Sequence, residues 1–212
     1  FSYNAAEGIL KTPDYTVKLT ENGIAYLSDG RTTRNLFNNG DGSIFRGYID
    51  GSEQFSRGKW SVETDNNGAT AVFTGKVGTV PFKFTMDFRK GEKLIDCHSS
   101  FDINEQLIGR TDITQGKPSP LTVNGHHHED KLCLDLNVCV DSSRTMHRDL
   151  PFALSQWNGA LRKTEEYWYP DDRIILDEEV SPEESFNNTT YYHGIYWVSV
   201  RDSDGGIAVF NK

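Results

Sequence analysis

Between Thr79 and Arg89 every second residue is apolar: Val80, Phe82, Phe84, Met86 and Phe88, with Pro81, Lys83, Thr85 and Asp87 between them. A helix gathers apolar residues onto one face every three or four positions, whereas a strand does so every second one. This stretch can therefore bury its apolar set only as a strand with one core face and one solvated face. Pro81 has no amide to donate and suits a strand start or an edge. The same alternation returns after the turn Arg89-Lys90-Gly91-Glu92, in Ile95, Cys97, Ser99, Phe101 and Ile103, and again in Leu132, Leu134, Leu136, Val138 and Val140.

Turn signals punctuate these runs. Tyr15–Thr20 and Ile24–Leu27 flank Glu21-Asn22-Gly23; Trp60–Thr64 and Ala69–Thr74 flank Asp65-Asn66-Asn67-Gly68; Ile195–Arg201 and Ile207–Phe210 flank Ser203-Asp204-Gly205-Gly206. Strands this close, with no helical stretch between them, make hairpins and antiparallel sheets. The best helical signal is one turn at Ser181-Pro182-Glu183-Glu184, with Ser as cap and Pro in first position. The expected fold is all-β, a large antiparallel β-sandwich with very little helix. Gly116–Gly125 reads as a long crossover within it, and no domain linker stands out, so residues 1–212 are expected to form a single domain. A chain of this length buries enough surface to need no staple.

With 22 basic against 31 acidic residues the formal net charge is −9. That balance, and the lack of a Lys/Arg run, argue against nucleic acid as a partner. Apolar runs are too short for a membrane-spanning helix, and a membrane is not an expected partner. The three cysteines, Cys97, Cys133 and Cys139, match no zinc spacing. Cys133 and Cys139 would lie about 20 Å apart in one extended strand, too far to bridge, and ordinary buried thiols are expected. Phe1–Leu10 has neither the basic nor the apolar region of a signal peptide. The compartment stays open between cytoplasmic and periplasmic or extracellular.

Candidate chemistry is concentrated in aromatic and histidine residues. Trp168, between Tyr167 and Tyr169 in a polar stretch, is the best candidate for an exposed sugar-stacking ring, and Trp157 is a further one. Sugars present C–H faces to flat rings and hydroxyls to polar neighbours. Trp197 alternates with core positions and is expected to be buried. His126 and His128, in His126-His127-His128-Glu129-Asp130, would share a strand face with Asp130. Their imidazoles could serve sugar hydroxyls, but a structural metal needs four ligands and none is expected here. The more ordinary reading is a polar loop entering a strand. Asp171-Asp172 and Asp177-Glu178-Glu179 could hold an acid–base pair, though a solvated acidic edge is the commoner meaning of such a run. Asn187-Asn188-Thr189-Thr190 contains two overlapping glycosylation sequons. No nucleotide, hydrolase or zinc-protease motif is present, and no cofactor is expected.

Three segments together resemble the C-terminal β-region of family 38 glycoside hydrolases, the α-mannosidases. They are Gly68–Glu105 (GATAVFTGKVGTVPFKFTMDFRKGEKLIDCHSSFDINE), Glu129–Phe152 (EDKLCLDLNVCVDSSRTMHRDLPF) and Tyr196–Asn211 (YWVSVRDSDGGIAVFN). The resemblance spans about two thirds of the chain in order and spacing. Ala153 departs from it where the family often has Gly, and Asn137 interrupts its usual apolar-Phe-Pro ending. It implies a supersandwich of the galactose-mutarotase-like kind. It also implies that zinc, nucleophile and acid–base residue belong to a separate catalytic α/β domain absent from this chain, so no catalytic residue is carried over. The expected function is that of a non-catalytic sandwich domain, a fragment or free-standing homologue, that supports a catalytic domain and contacts carbohydrate. Two other classes are a mutarotase-like aldose epimerase, needing a His acid (His98, His193 or the 126–128 cluster) and a Glu base, and a free carbohydrate-binding module.

Overall fold

The computed structural model of the chain describes residues 1–40, 42–106, 108, 132–141, 144–150, 153–157, 162–168, 173–179 and 197–210. Every regular element among them is a strand, and all pairings are antiparallel. The fold is the expected all-β sandwich. Gly116–Gly125 and the helical turn at Ser181–Glu184 lie outside the described residues.

The chain divides into two compact units, one of Phe1–Arg110 with Asp130–Cys139, the other of Thr111–Glu129 with Val140–Lys212. In the first, β1 (Ser2–Asn4), β2 (Ile9–Lys11), β3 (Tyr15–Thr20), β4 (Gly23–Asp29) and β5 (Asn35–Asn38) form a five-stranded sheet in chain order. A second sheet runs in the order β10 (Ile95–Phe101), β9 (Val80–Arg89), β8 (Gly68–Val77), β7 (Ser52–Thr64), β6 (Phe45–Ile49) and β11 (Cys133–Leu134). β7 is long enough to pair with β6 through Ser52–Phe55 and with β8 through Ser56–Thr64. The turn residues act as the sequence implies. Asp65 Oδ1 accepts from the amides of Asn67 and Gly68, which closes the β7–β8 hairpin. Gly23 has φ 138°, and a Cβ there would meet Ile44 Cγ1 and the Gly42 carbonyl at 2.6 Å, so only glycine fits.

The core lies between these two sheets. Leu10, Val17, Leu19, Ile24, Leu27 and Phe37 come from the first, and Val80, Phe82, Phe84, Met86 and Phe88 form the buried half of β9 as the alternation requires. Phe45 meets Phe82 and Phe84 edge to face at 5.2 and 5.4 Å, and Trp60 stacks on its cross-strand partner Phe73 at 4.7 Å. Polar pins cross the same seam. Trp60 Nε1 donates to the carbonyls of Thr20 (2.9 Å) and Gly23 (3.2 Å), and the Gly58 amide donates to the Glu21 carbonyl at 2.7 Å.

Three expectations are corrected. The run Leu132–Val140 is not one strand: only Cys133–Leu134 pairs with β6, and Val138 then bridges to Phe37 on β5. The polar positions break the ladder. Asp135 ion-pairs with Arg46, and the Asn137 amide donates to Asn39 Oδ1, so the segment crosses from one sheet to the other. Ile103 lies beyond β10 and is half exposed. Cys97 is exposed and not buried, while Cys133 and Cys139 are half-buried; all three are free thiols. β10 ends the order of its sheet, and its core-side positions Cys97 and Ser99 are open although they oppose buried Met86 and Phe84.

In the second unit, β13 (Ala153–Trp157), β12 (Thr145–Leu150), β16 (Trp197–Arg201) and β17 (Gly206–Phe210) form one sheet in that order, and β14 (Arg162–Trp168) pairs with β15 (Arg173–Glu179). Asp202 Oδ1 accepts from the Asp204 and Gly205 amides to turn β16 into β17. Trp197 is half-buried, with its ring 6.5 Å from that of Phe210.

Candidate functional site

Strand pairing does not place the residues singled out for sugar contact beside one another. Tyr167 and Trp168 end β14, opposite Ile174 and Arg173, and as neighbours in one strand they occupy positions of opposite face. Trp157 belongs to a different sheet, paired with Met146. Tyr169, His126, His128 and His193 lie outside the described residues, as do Asp171 and Asp172. Asp177, Glu178 and Glu179 lie within β15, in backbone register with Thr164, Lys163 and Arg162. His98 is exposed on β10. Among the described residues no three His, Cys, Asp or Glu side chains gather as metal ligands would.

What the pairing does assemble is the outer face of β7–β10. The inward positions of β8 and β9 fill the core, and the outward ones of all four strands form a largely polar surface in register. The row Lys59, Thr74, Lys83 and Ser100 crosses all four strands, and Arg57, Lys76 and Pro81 form the row beside it. Two rows further along stand Glu63, Thr70, Asp87 and Asp96. The face is thus cationic at one end and anionic at the other, with Ser61, Val72, Thr85 and His98 between.

The anionic end is concave. A hollow of about 550 Å³ is lined by Glu63, Asp65, Asn67, Thr70, Asp87 and Arg89 among others. Thr70 Oγ1 donates to Asp87 Oδ1 at 2.6 Å, and Arg89 reaches Asp96 at 3.4 Å and Glu92 at 3.9 Å. These groups therefore satisfy one another. At the other end Arg57 pairs with Glu21 at 3.1 Å, both well exposed, while Lys59, Lys76 and Lys83 are exposed and make no ion pair among the described residues. The Cys97 thiol on β10 is pushed up to about 11, first by desolvation and then by Asp96 and Asp87. It is a thiol and not a thiolate at neutral pH, which makes it a slow nucleophile.

The sequence contains this face only as the polar half of its alternation. Arg57, Lys59, Lys76 and Lys83 are spread over 27 positions, and no run of basic residues announces them. Strand register alone brings them together. No protein-family model matches the chain, and no curated protein gives a significant match to it.

Proposed function

We propose that the chain is a non-catalytic sandwich domain of an α-mannosidase-like glycoside hydrolase, which supports a catalytic α/β domain and contacts glycan. The observation that carries this reading is the path of Gly68–Glu105, the longest segment of the resemblance. It runs as the consecutive antiparallel strands β8, β9 and β10, with the charged glycine turn between the last two. The apolar positions of its middle strand are all buried. Tyr196–Asn211 supports it as well, since Trp197–Phe210 forms the β16–β17 hairpin.

The test assays the purified chain with an aryl α-mannoside and follows anomer interconversion of galactose by polarimetry, alongside the same chain expressed in its full reading frame. The expected result is no turnover by the chain alone, and aryl release by the longer protein that is lost when the sandwich is destabilised by Phe84→Ala. Aryl release by the chain alone would overturn the non-catalytic reading, and accelerated mutarotation would replace it with the epimerase. A full reading frame with no catalytic domain, together with glycan binding by the chain, would make it a free binding module.

A further inference from the structure

We infer that the cationic end of the outer face, centred on Thr74, is a binding site for an anionic saccharide, one bearing sulfate or carboxylate groups. That the anion is carried by a saccharide rests on the glycan-associated reading above; the anion site itself rests on geometry alone. On its face of the sheet Thr74 has Lys59 and Lys83 directly opposite on the flanking strands, Lys76 two residues along its own strand, and Arg57 on the diagonal. Directly opposed positions hold their Cβ atoms about 5 Å apart and diagonal ones about 7–8 Å apart. Four long cationic side chains can therefore converge above one hydroxyl. The remaining positions around Thr74 are Ser61, Val72, Pro81 and Thr85, none of them acidic.

Such a grouping is costly to the folded chain. Arg57 and Lys76 are directly opposite, and like charges in that relation destabilise a sheet. Elsewhere the protein relieves such contacts locally, as the acidic end does with Thr70 and Arg89. Here, among the described residues, only Arg57 has an acidic partner. An anion placed over Thr74 would cancel the repulsion, accept from the Thr74 hydroxyl and be held by three or four cations at once. This concentration stands out on a chain whose net charge is −9.

The class of ligand follows from what else the face provides. None of the eight positions around Thr74 is aromatic, with His98 a strand away and Phe55 beyond Arg57, so the cationic cluster itself offers no ring on which a nucleobase could stack, as sequence-tolerant single-strand binding requires. β8 and β9 are interior strands with both edges paired, so they offer no free backbone to an incoming peptide strand. Hydroxyls do line the approach, in Ser61, Thr85 and Ser100 beside the central Thr74. A surface of hydroxyls and cations suits a saccharide with repeated acidic groups.

The experiment titrates the whole chain with a sulfated hexasaccharide at two salt concentrations. Its desulfated counterpart, polyglutamate and a thymidine oligonucleotide serve as comparison probes. The triple variant Lys59→Gln/Lys76→Gln/Lys83→Gln is compared with wild type, with Lys11→Gln/Lys90→Gln as a charge control and a thermal melt to establish that each variant folds. Thr74→Val provides a second, uncharged lesion. The expected result is binding of the sulfated form alone, weakened by salt, falling about tenfold or more in the triple variant and unchanged in the control. Loss of affinity in Thr74→Val at unchanged net charge would support the anion's placement. Equal binding of polyglutamate or the oligonucleotide would overturn the saccharide assignment, as general attraction of polyanions. Equal loss in the charge control, or no binding of any probe at low salt, would overturn the site. Aryl α-mannoside turnover by the chain would sink the non-catalytic reading and leave this site untouched.

Discussion

The Ser56 hydroxyl accepts from the Ile44 and Phe45 amides at 3.3 and 3.2 Å and donates to the Asn22 carbonyl, while the residue itself is 2% exposed. One oxygen thus ties the entry of β6 to the β3–β4 turn. Ser56→Ala removes the acceptor of two buried backbone amides, Ile44 and Phe45, and should cost about 1–3 kcal/mol in urea unfolding; a cost near zero would mean those amides are satisfied elsewhere. Asp29 is a second such residue. Its carboxylate accepts from the Thr32 amide at 2.9 Å and the Arg31 amide at 2.7 Å, and these bonds hold its pKa below the usual value. A lowered folded pKa contributes stability above the unfolded value of about 3.9, and that stability is lost as pH falls through the folded value. Melting temperature followed from pH 5 downward should therefore drop less steeply in Asp29→Asn than in wild type. For Cys97, raised to about 11, the thiolate fraction at pH 8 is about a hundredfold below that of a thiol near 9. Higher intrinsic nucleophilicity returns about tenfold of that. With Cys133 and Cys139 replaced by Ser, alkylation at pH 8 should run about tenfold slower than for a small free thiol.

Elements hold together through their inner faces. Phe84 is 3% exposed and meets both Phe45 and Trp60. Phe84→Ala should cost about 3–5 kcal/mol, the transfer and cavity terms together, and a loss under about 1 kcal/mol would mean that the strand's register is flipped. The β7–β8 ribbon has a different requirement. Gly58 and Gly75 are opposed on its inner face, and a Cβ on Gly75 would fall on the Arg57 carbonyl and lie 2.7 Å from Gly58 Cα. The backbones approach too closely there for any side chain. Gly75→Ala should therefore destabilise the chain more than a Gly→Ala exchange at Gly40, where a Cβ would meet nothing within 4 Å, although Gly40 carries its own cost from a φ of 62°.

At the scale of the molecule, the first unit is not continuous in sequence: it takes back Asp130–Cys139 after a long excursion. The returning segment ties both sheets. Asp135 bonds Arg46, its amide donates to the Ile44 carbonyl at 2.8 Å, and the Cys139 amide donates to the Leu36 carbonyl at 2.9 Å. A fragment of residues 1–140 should accordingly resist urea better than one of residues 1–110, with Asp135→Ala in the longer fragment removing part of the difference. Equal midpoints for the two fragments would show the segment to be a passenger.

Much of this architecture was legible in the residues themselves. Period-two alternation needs no partner to be recognised, because a strand's two faces are a property of its own backbone; hence β9, the three hairpins and the all-β class follow from the sequence alone. Asn-Gly and Asp-Gly turns are local for the same reason, since an Asx bond spans only two or three residues. The broken run at Leu132–Val140 was not legible, because the Arg46 and Asn39 that interrupt it lie more than eighty positions away. Nor was the exposure of Cys97, which depends on β10 lying at the end of a sheet order. The cationic face around Thr74 is the clearest case. Its four cations come from three strands, and only the register of hydrogen bonds between those strands decides that they are neighbours rather than scattered charges.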